Sequence, residues 1–497
     1  MILKETLKIK YKLLVHYSGL ILIISGLIML IPLIVLPFYK NETNHMISFI
    51  LPSLLSMLTG YFLWQITRTA KSTVELTIRD GGIIVVFGWI MTCIISSIPF
   101  ILSKQLNFTQ AMFESVSGWT TTGLSVVDVT VTPHIFLIWR SIMQFFGGAG
   151  IAVIMLAAII GPAGTGLYSA EGRTDMLLPN ITKSTKMIMS IYLGYTISGI
   201  ILYIIAGMPV FDSFVHSLSA LSTGGFSSVP NSIGEYQNIY IEMITIILML
   251  LGTINFAAHY LLLKGNFKRF IRLGEVKFMF FIMSIFIPAI FFFSIKPLYS
   301  SIGKSLRIAV FEVTSALSTT GFSTVSYTTL NDFAIYVIIL LMLIGGGTGS
   351  TAGGIKQFRV YVLIKSFVDN VRGFLLSPKR TNEIMVMKPD GKTFLNNNQI
   401  VNIGNFVFIY IFFYIFGVGT MMIFGFPFMD SMFEFASTIG TVGLSIGITS
   451  ATAPPFVLWV QIIGMLLGRL EILVVFYAII KIFKDFRAIA GRHTKNK

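Results

Sequence analysis

Long apolar stretches separated by short polar segments recur along almost the whole of this 497-residue chain. A helix needs about 20 mostly apolar residues to cross a bilayer, and a longer stretch leaves room for tilt or a kink. The pattern therefore predicts ten membrane spans. They are 13–38, 46–66, 82–102, 134–160, 187–208, 239–263, 276–295, 333–347 continued by 357–367, 401–426 and 455–483.

Four semi-apolar segments between these spans are too short to cross a bilayer. They fit re-entrant helices, which are tolerated only where protein or a water-filled cavity surrounds them. The four segments are 111–122, 213–224, 309–320 and 431–442.

The short segments end in similar phrases, which indicates an internal fourfold repeat. The phrases occupy 113–124, 215–226, 311–322 and 433–444, and the second and third agree at seven of eight positions from the first Ser to the Phe. Their shared glycines are 102, 96 and 122 residues apart. Each repeat is a helix, a half-helix, a loop and a helix, so four repeats predict a pseudo-fourfold arrangement around one axis.

The predicted fold class is thus an all-α membrane protein with four such repeats and two extra N-terminal spans. The expected divisions are an N-terminal hairpin 1–80, repeat one 81–185, repeat two 186–273, repeat three 274–400 and repeat four 401–497.

The residue types in the repeats point to a cation. A half-helix carries a partial negative charge at its C-terminus, and glycine permits backbone conformations that turn successive carbonyls inward. A ring of four such loops can replace the hydration shell of K⁺. Glu114, Glu312 and Glu434 share one repeat position with His216. We expect them to anchor the pore helices, with direct ion coordination as the alternative.

Composition supports a membrane protein. Hydrophobic residues make up 55% and charged residues 11% of the chain, against about 25% charged in soluble domains. This excludes an ordinary soluble enzyme, a disordered protein and a disulfide scaffold. The single cysteine, Cys93, excludes an intrachain disulfide, and the six histidines show no ligand spacing. No catalytic constellation or cofactor loop is visible, so we expect neither an enzyme nor an organic cofactor.

The net charge of +15 could suggest nucleic acid, but its distribution favours membrane topology. With a cytoplasmic N-terminus, 29 of the 36 basic residues fall on the inside and 5 on the outside. This is a positive-inside pattern with both termini cytoplasmic, and we expect no nucleic-acid partner.

Together the four phrases resemble the filter sequences of the Trk/Ktr/HKT superfamily of potassium transporters. The glycine-rich stretch 345–356, the Gly-Arg-Leu-Glu run 468–471 and the two extra N-terminal spans resemble its bacterial TrkH/TrkG branch. The resemblance implies K⁺ uptake in the bacterial cytoplasmic (inner) membrane. It also implies a homodimer in membrane lipid, with cytosolic nucleotide-binding TrkA-like subunits as partners.

Carried over by resemblance, the K⁺ filter has three residues in each repeat, and Gly123 favours K⁺ because Ser at this position in plant relatives goes with Na⁺ permeation. The filter residues are Thr121, Thr122, Gly123, Thr223, Gly224, Gly225, Thr319, Thr320, Gly321, Thr441, Val442 and Gly443.

The same resemblance implies a gate in the stretch 345–354. A phosphate loop is excluded because Ile355 and Lys356 replace the required Lys and Ser/Thr. A plain helix break or close helix packing stays open. The expected gating residues are Gly345, Gly346, Gly347, Thr348, Gly349, Ser350, Thr351, Gly353, Gly354 and Arg469.

Two arginines fall within predicted spans, where an ionisable side chain is costly. In similar proteins the arginine at Arg469 forms a positive barrier, and a salt bridge to Glu471 or Glu434 is the alternative. For Arg140 we expect a structural pairing with a carboxylate. Gly147, Gly148 and Gly150 are interpreted as sites of close helix packing.

The longest polar stretch, 366–400, contains the turn sequence Lys388–Lys392, which predicts a small hairpin. By resemblance this surface docks the cytosolic ring, with a solvated loop as the alternative. Asp212-Ser213 and Asp430-Ser431 are the expected N-caps of the second and fourth half-helices.

Two rival functions remain open from sequence. One is a Na⁺-permeable or Na⁺/H⁺-coupled K⁺ transporter of the same superfamily. The other is an intramembrane hydrolase, which leaves the four Thr/Gly loops without a purpose.

Overall fold

The computed structural model describes residues 2–67, 78–150, 181–375, 384–389 and 391–490. The first half of these ranges holds α1 (Ile2–Met29), α2 (Met46–Ile66), α3 (Ile78–Leu102), α4 (Phe108–Trp119), α5 (His134–Ala149), α6 (Ile181–Ile205), α7 (Val210–Leu221), α8 (Ile239–Thr253) and α9 (Phe256–Leu263). The second half holds α10 (Phe267–Ile271), α11 (Gly274–Ile290), α12 (Ile302–Ser318), α13 (Asp332–Ile344), α14 (Gln357–Leu375), α15 (Asn397–Ile423), α16 (Phe428–Gly440), α17 (Pro455–Arg469) and α18 (Ile472–Ala490).

Six helical stretches in these ranges are long and apolar enough to cross a membrane. They match six of the ten predicted spans. They are Lys10–Val35, Lys40–Ile66, Asp80–Leu102, Lys183–Ile205, Gly274–Ile295 and Asn397–Ile423.

Two other predicted spans are sharply bent helix pairs. The helices α8 and α9 meet at 111°, and α17 and α18 meet at 100°. Asn255 caps α9 by accepting the Ala257 N–H at 2.7 Å, and Glu471 lies at φ +60° in the second bend. Neither break strongly interrupts the apolar pattern, and for this reason the pattern alone predicts one continuous span at each position.

The remaining two predicted spans are shorter within the described residues. The helix α5 ends at Ala149, and 151–160 of the predicted span 134–160 lie outside the described ranges. In repeat three, α13 stops at Ile344, and α14 starts only at Gln357. The glycine-rich stretch therefore separates two helices, as its composition indicates.

The four short helices α4, α7, α12 and α16 occupy the positions of the predicted half-helices but begin earlier. The predicted N-caps were wrong. Pro209 and Pro427 are the N-caps of α7 and α16, while Asp212 and Asp430 lie in the first turn. An acidic side chain there complements the positive end of the helix dipole without capping it.

One antiparallel β-hairpin interrupts the helical architecture. Its strands are β1 (Ile384–Lys388) and β2 (Gly391–Leu395), with Ile384 opposite Leu395 and Lys388 opposite Gly391. This confirms the predicted hairpin, which is the exception to the all-α class among the residues that the structure describes. Its apolar face, Ile384, Val386 and Leu395, packs on Val362 of α14, which places it beside the helix that follows the glycine-rich stretch.

The N-terminal helices α1 and α2 pack closely on one another. A Cβ added at Gly19 would lie 2.7 Å from the Gly60 carbonyl oxygen, so the two backbones meet at this pair of glycines. One apolar cluster then joins α1 to α3, α4, α5 and α17. The two extra helices therefore support the first and fourth repeats.

Candidate functional site

All four short helices end in the same backbone motif. A threonine with positive φ stands one or two residues after the last residue of each helix. Its N–H donates to the carbonyl three residues earlier. The next N–H donates to the carbonyl five residues earlier, which completes a Schellman motif. The threonines are Thr121 (φ 56°), Thr223 (φ 52°), Thr319 (φ 56°) and Thr441 (φ 49°).

A β-branched residue in this left-handed conformation is strained by about 1–2 kcal/mol. The same strain at four equivalent positions indicates that the surrounding structure imposes it, as is common at functional sites. Each threonine is fully buried. The motif reverses the chain at the C-terminal end of each helix, so four helix ends lead into four similar loops.

The shared glycines join these loops into a closed ring. Each has positive φ, between 76° and 99°, and a Cβ at each would overlap the carbonyl oxygen of the next loop. The overlaps run from Gly123 to Gly224 O, from Gly225 to Thr320 O, from Gly321 to Val442 O and from Gly443 to Thr122 O. Only glycine permits this close approach.

All four glycines line one cavity of about 650 Å³. The segments after the glycines supply hydroxyl groups to its wall, including those of Ser125, Ser227, Thr324 and Ser445. The cavity is therefore a polar chamber on one side of the ring.

The residues at the shared Glu/His position tie each short helix to the segment after its loop. Glu114 accepts the Val126 N–H at 3.1 Å and the Ser125 hydroxyl at 3.0 Å. Glu434 accepts the Ile446 N–H at 3.0 Å and the Ser445 hydroxyl at 2.8 Å.

In the third repeat, Glu312 accepts the Thr324 N–H at 2.8 Å and the Tyr327 hydroxyl. His216 instead places Nε2 3.1 Å from the Ser227 hydroxyl. All four side chains are buried. These contacts agree with the anchor interpretation, because each side chain is occupied by its own repeat.

Arg140 makes the carboxylate pairing that its sequence position predicts. Its Nε lies 2.6 Å from Glu114 Oε1, and both side chains are almost fully buried. Its other nitrogens donate to Ser125 Oγ at 2.9 Å and to the Ser227 carbonyl at 3.2 Å. Since Ser227 belongs to the second repeat, this arginine links two loops of the ring.

Two of the three glycines predicted to pack closely, Gly147 and Gly148, do so in α5, while Gly150 is the C-cap of this helix with φ +90°. A Cβ at Gly147 would overlap the Trp119 carbonyl, and one at Gly148 would lie 2.9 Å from Ser222 Cβ. In repeat four, a Cβ at Gly468 would likewise overlap the Ile439 carbonyl. The helices that follow the loops in repeats one and four, α5 and α17, therefore lie directly against the ends of the short helices.

The stretch 345–354 lies against the ring and is held by hydrogen bonds. Thr351 Oγ1 is 3.1 Å from Thr223 Oγ1 and donates to the Gly252 carbonyl at 2.9 Å. The Gly353 N–H donates to Thr319 Oγ1 at 2.8 Å, and a Cβ at Gly353 would overlap Thr441 Oγ1. The stretch thus contacts the left-handed threonines of loops two, three and four.

Arg469 joins this stretch to α5 at the end of α17. Its guanidinium donates to the Thr351 carbonyl at 2.6 Å and to the Gly147 carbonyl at 2.6 Å. The two carboxylates considered as its partners are engaged elsewhere. Glu471 pairs with Arg359 at 2.6 Å, and Glu434 accepts the N–H and hydroxyl groups of its own repeat.

Residues 49–485 match the family model TrkH, described as a cation transport protein. The chain belongs to the TrkH family.

Among relatives in this family, the Trk system potassium uptake protein TrkG of Escherichia coli K12 is 31% identical, over 95% of this chain and 97% of its own. The Trk system potassium uptake protein TrkH of Salmonella typhimurium is 30% identical, over 91% and 95%. The crystal structure of the potassium transporter TrkH from Vibrio parahaemolyticus superimposes with a TM-score of 0.82 at 26% identity, covering 95% and 98%. Membership of the TrkH family confirms the predicted family. It also confirms the prediction that this chain is a transporter and not an enzyme.

Two features of this TrkH-family site were not predicted from the sequence. The left-handed threonines are unexpected because a Schellman motif usually has glycine at that position. Gln144 of α5, which contacts the second loop at Gly224, is one of several buried polar residues in that helix. Comparison of the four second helices could have singled it out, since repeat four carries Met465 at the same distance before the packing glycine.

Proposed function

We propose that this chain takes up K⁺ across the bacterial cytoplasmic membrane through the ring of four loops. The observation that carries the proposal is that four equivalent glycines contact neighbouring loops in cyclic order and line one polar cavity. The relatives named as potassium uptake proteins support K⁺ as the transported ion. In this proposal the four repeats stand in a pseudo-fourfold arrangement around the pore.

The filter acts through backbone carbonyls. Each of the four short helices ends at one of the loops, and its C-terminus carries a partial negative charge there. Carbonyls arranged by alternating left-handed residues replace the water around K⁺. The buried carboxylates at the shared repeat position, Glu114, Glu312 and Glu434, are occupied as anchors, and Asp128 is the carboxylate that lines the cavity itself. Attraction of the cation therefore relies on dipoles and not on a ring of acids.

The stretch 345–354 and Arg469 form the proposed gate. The stretch contacts three of the four loops, and Arg469 adds a positive charge that a cation passing the ring would meet. Opening requires the hydrogen bonds of Thr351 and Gly353 to break together. Flexible glycines on both sides of these residues permit such a movement.

The proposed assembly is a homodimer with one pore in each chain, embedded in membrane lipid. A TrkA-like nucleotide-binding subunit docks on the cytoplasmic surface that includes the hairpin β1–β2. The 29 basic residues on the predicted inner side support this orientation, with both termini cytoplasmic. The boundaries 1–80, 81–185, 186–273, 274–400 and 401–497 stay our proposed divisions.

The test is rescue of a bacterium that lacks its own potassium uptake systems, grown at low external K⁺ with the matching regulatory subunit. We expect the native chain to restore growth and Gly123→Ser to reduce it. Membrane expression without rescue would contradict the proposal. Competition by Na⁺ in a K⁺ flux assay separates the main proposal from a Na⁺-permeable or Na⁺/H⁺-coupled transporter.

A further inference from the structure

Two side chains of α5 reach out of repeat one and contact the filter loop of repeat two. Arg140 and Gln144 lie four residues apart, so they share one face of the helix. Both are buried, with 2% and 0% of their surface exposed. A buried arginine and a buried glutamine one turn apart are costly unless both are fully engaged.

Gln144 holds the backbone of the second loop at two points. Its amide nitrogen donates to the Gly224 carbonyl at 2.6 Å. Its amide oxygen accepts the Phe226 N–H at 3.1 Å. A Cβ at Gly224 would overlap the amide group. One orientation of the amide satisfies both bonds, so the side chain fixes the loop on each side of Gly225.

Arg140 holds the same loop one residue further on. It donates to the Ser227 carbonyl at 3.2 Å, and its guanidinium carbon lies 4.1 Å from the centre of the Phe226 ring. Its charge is balanced by Glu114 at 2.6 Å. The guanidinium can therefore reach the second repeat without remaining an unpaired buried charge.

The second repeat differs from the other three at the shared Glu/His position, and its own carboxylate, Asp212, accepts the Ser228 hydroxyl at 2.6 Å and no loop N–H among the described residues. In the other three repeats a buried carboxylate accepts a backbone N–H twelve residues further on, at Val126, Thr324 and Ile446. Repeat two carries His216 at this position, and its ring places Nε2 near the Ser227 hydroxyl. A neutral imidazole has one acceptor nitrogen, against two oxygens in a carboxylate.

We propose that Gln144 and Arg140 are positioning residues for ion selectivity, which fix the backbone of the second filter loop, whose repeat carries His216 where the other three have a carboxylate. The inference rests on the proposed function. A filter selects K⁺ through the number and placement of its carbonyls. If one of the four filter loops moves, the filter excludes Na⁺ less well while K⁺ still passes.

The test compares Gln144→Met, Gln144→Glu and the control Gln461→Met in the full-length protein, reconstituted in liposomes. Met removes both loop bonds at similar volume, whereas Glu keeps the acceptor for Phe226 and loses the donor to Gly224. Gln461 is equally buried, in α17, and donates to the Thr449 hydroxyl at 2.8 Å, outside the filter triplet. The readout is the K⁺/Na⁺ permeability ratio from reversal potentials.

We expect the ratio to fall about tenfold in Gln144→Glu, the effect of losing one buried hydrogen bond, and further in Gln144→Met, which loses both, and to stay unchanged in Gln461→Met. An unchanged ratio in the Gln144 variants, or an equal fall in Gln461→Met, would overturn the inference. If neither Gln144 variant is monodisperse, the same measurement on Arg140→Lys decides: a lowered ratio supports the inference and an unchanged one refutes it. A native chain that conducts no K⁺ would refute the proposed function instead.

Discussion

Arg359 Nη2 lies 2.6 Å from Glu471 Oε2, and this ion pair joins α14 to the bend that follows Arg469. Arg359 belongs to the first turn of α14, directly after the glycine-rich stretch, and its guanidinium stacks 3.8 Å over the Phe406 ring. Glu471 lies in the bend between α17 and α18 with φ +60°. The pair therefore connects the far end of the proposed gate to the strained bend beside Arg469.

Glu471→Gln is expected to raise K⁺ flux because it weakens this connection without changing side-chain volume. The increase should be about twofold to tenfold, since a partly exposed pair contributes on the order of 1 kcal/mol. Flux is measured by tracer uptake in cells at equal membrane expression. Asp485→Asn is the control, because Asp485 pairs with Lys481 on α18, further from the gate. The same increase in the control would contradict the proposal.

Arg469→Gln should raise K⁺ flux or loosen ion selectivity. The substitution removes the positive charge while the shorter amide can still reach one of the carbonyls of Thr351 and Gly147. Arg487→Gln is the control, because it removes the same charge at the exposed end of α18, and it should leave K⁺ flux unchanged in the same tracer-uptake assay. If Arg469 only links the carbonyls of Thr351 and Gly147 for stability, the Arg469→Gln variant will be less stable in detergent and will show no gain in flux.

Thr351→Val should favour the open gate. Valine keeps the shape of threonine but removes the hydroxyl that contacts Thr223 and donates to the Gly252 carbonyl. The loss of such bonds is worth about 0.5–1.5 kcal/mol each, so flux is expected to rise about threefold or more.

Deleting the middle of 347–353 should have a larger effect in the same direction as Thr351→Val. Single-channel recording or tracer uptake measures both variants. Unchanged or abolished flux in the deletion, with normal expression, would refute the gate.

Gly123→Ser should impair K⁺ uptake and admit more Na⁺. The new Cβ would overlap the Gly224 carbonyl, and φ of +87° is strained for serine. Gly447→Ser separates these two causes, because Gly447 has φ +106° but no neighbouring atom within 4 Å of a Cβ. We expect the control to retain the native K⁺/Na⁺ ratio. A similar loss in both variants would assign the effect to backbone strain.

Glu114→Gln should destabilise the protein more than Glu434→Gln. The first leaves the buried guanidinium of Arg140 without its counter-ion, which costs about 3–5 kcal/mol. Glu434 accepts hydrogen bonds from neutral N–H and hydroxyl groups, so glutamine can keep part of them. The measurement is the midpoint of thermal aggregation in detergent. Equal midpoints would show that Arg140 finds another partner.

The positions of the four loops could be predicted because each rests on a pattern repeated four times. One shared glycine per repeat, with matching residues around it, locates the loops before any contact is known. The structure places Gly123, Gly225, Gly321 and Gly443 against neighbouring loops in cyclic order. The buried pairing of Arg140 was predictable for a different reason, since an unpaired charge in an apolar helix is too costly.

Other features depend on tertiary contacts that a local pattern does not contain. The helix α12 starts at Ile302 because Ser301 accepts the Lys304 N–H, well before the semi-apolar segment. The bends of 111° and 100° interrupt apolar stretches that read as continuous. Thr351, Gly353 and Arg469 find partners more than 30 residues away in the chain, so their roles follow from the fold and not from their neighbours.

The cyclic contact of the four loops is formed within a single polypeptide, and this has a genetic consequence. In a channel assembled from four identical chains, one codon change alters every quadrant at once. Here each quadrant has its own codons, and the loops already differ, as Thr122, Gly224, Thr320 and Val442 show. Single substitutions can therefore adjust one wall of the ring while three remain native, which gives evolution a graded route to altered ion preference.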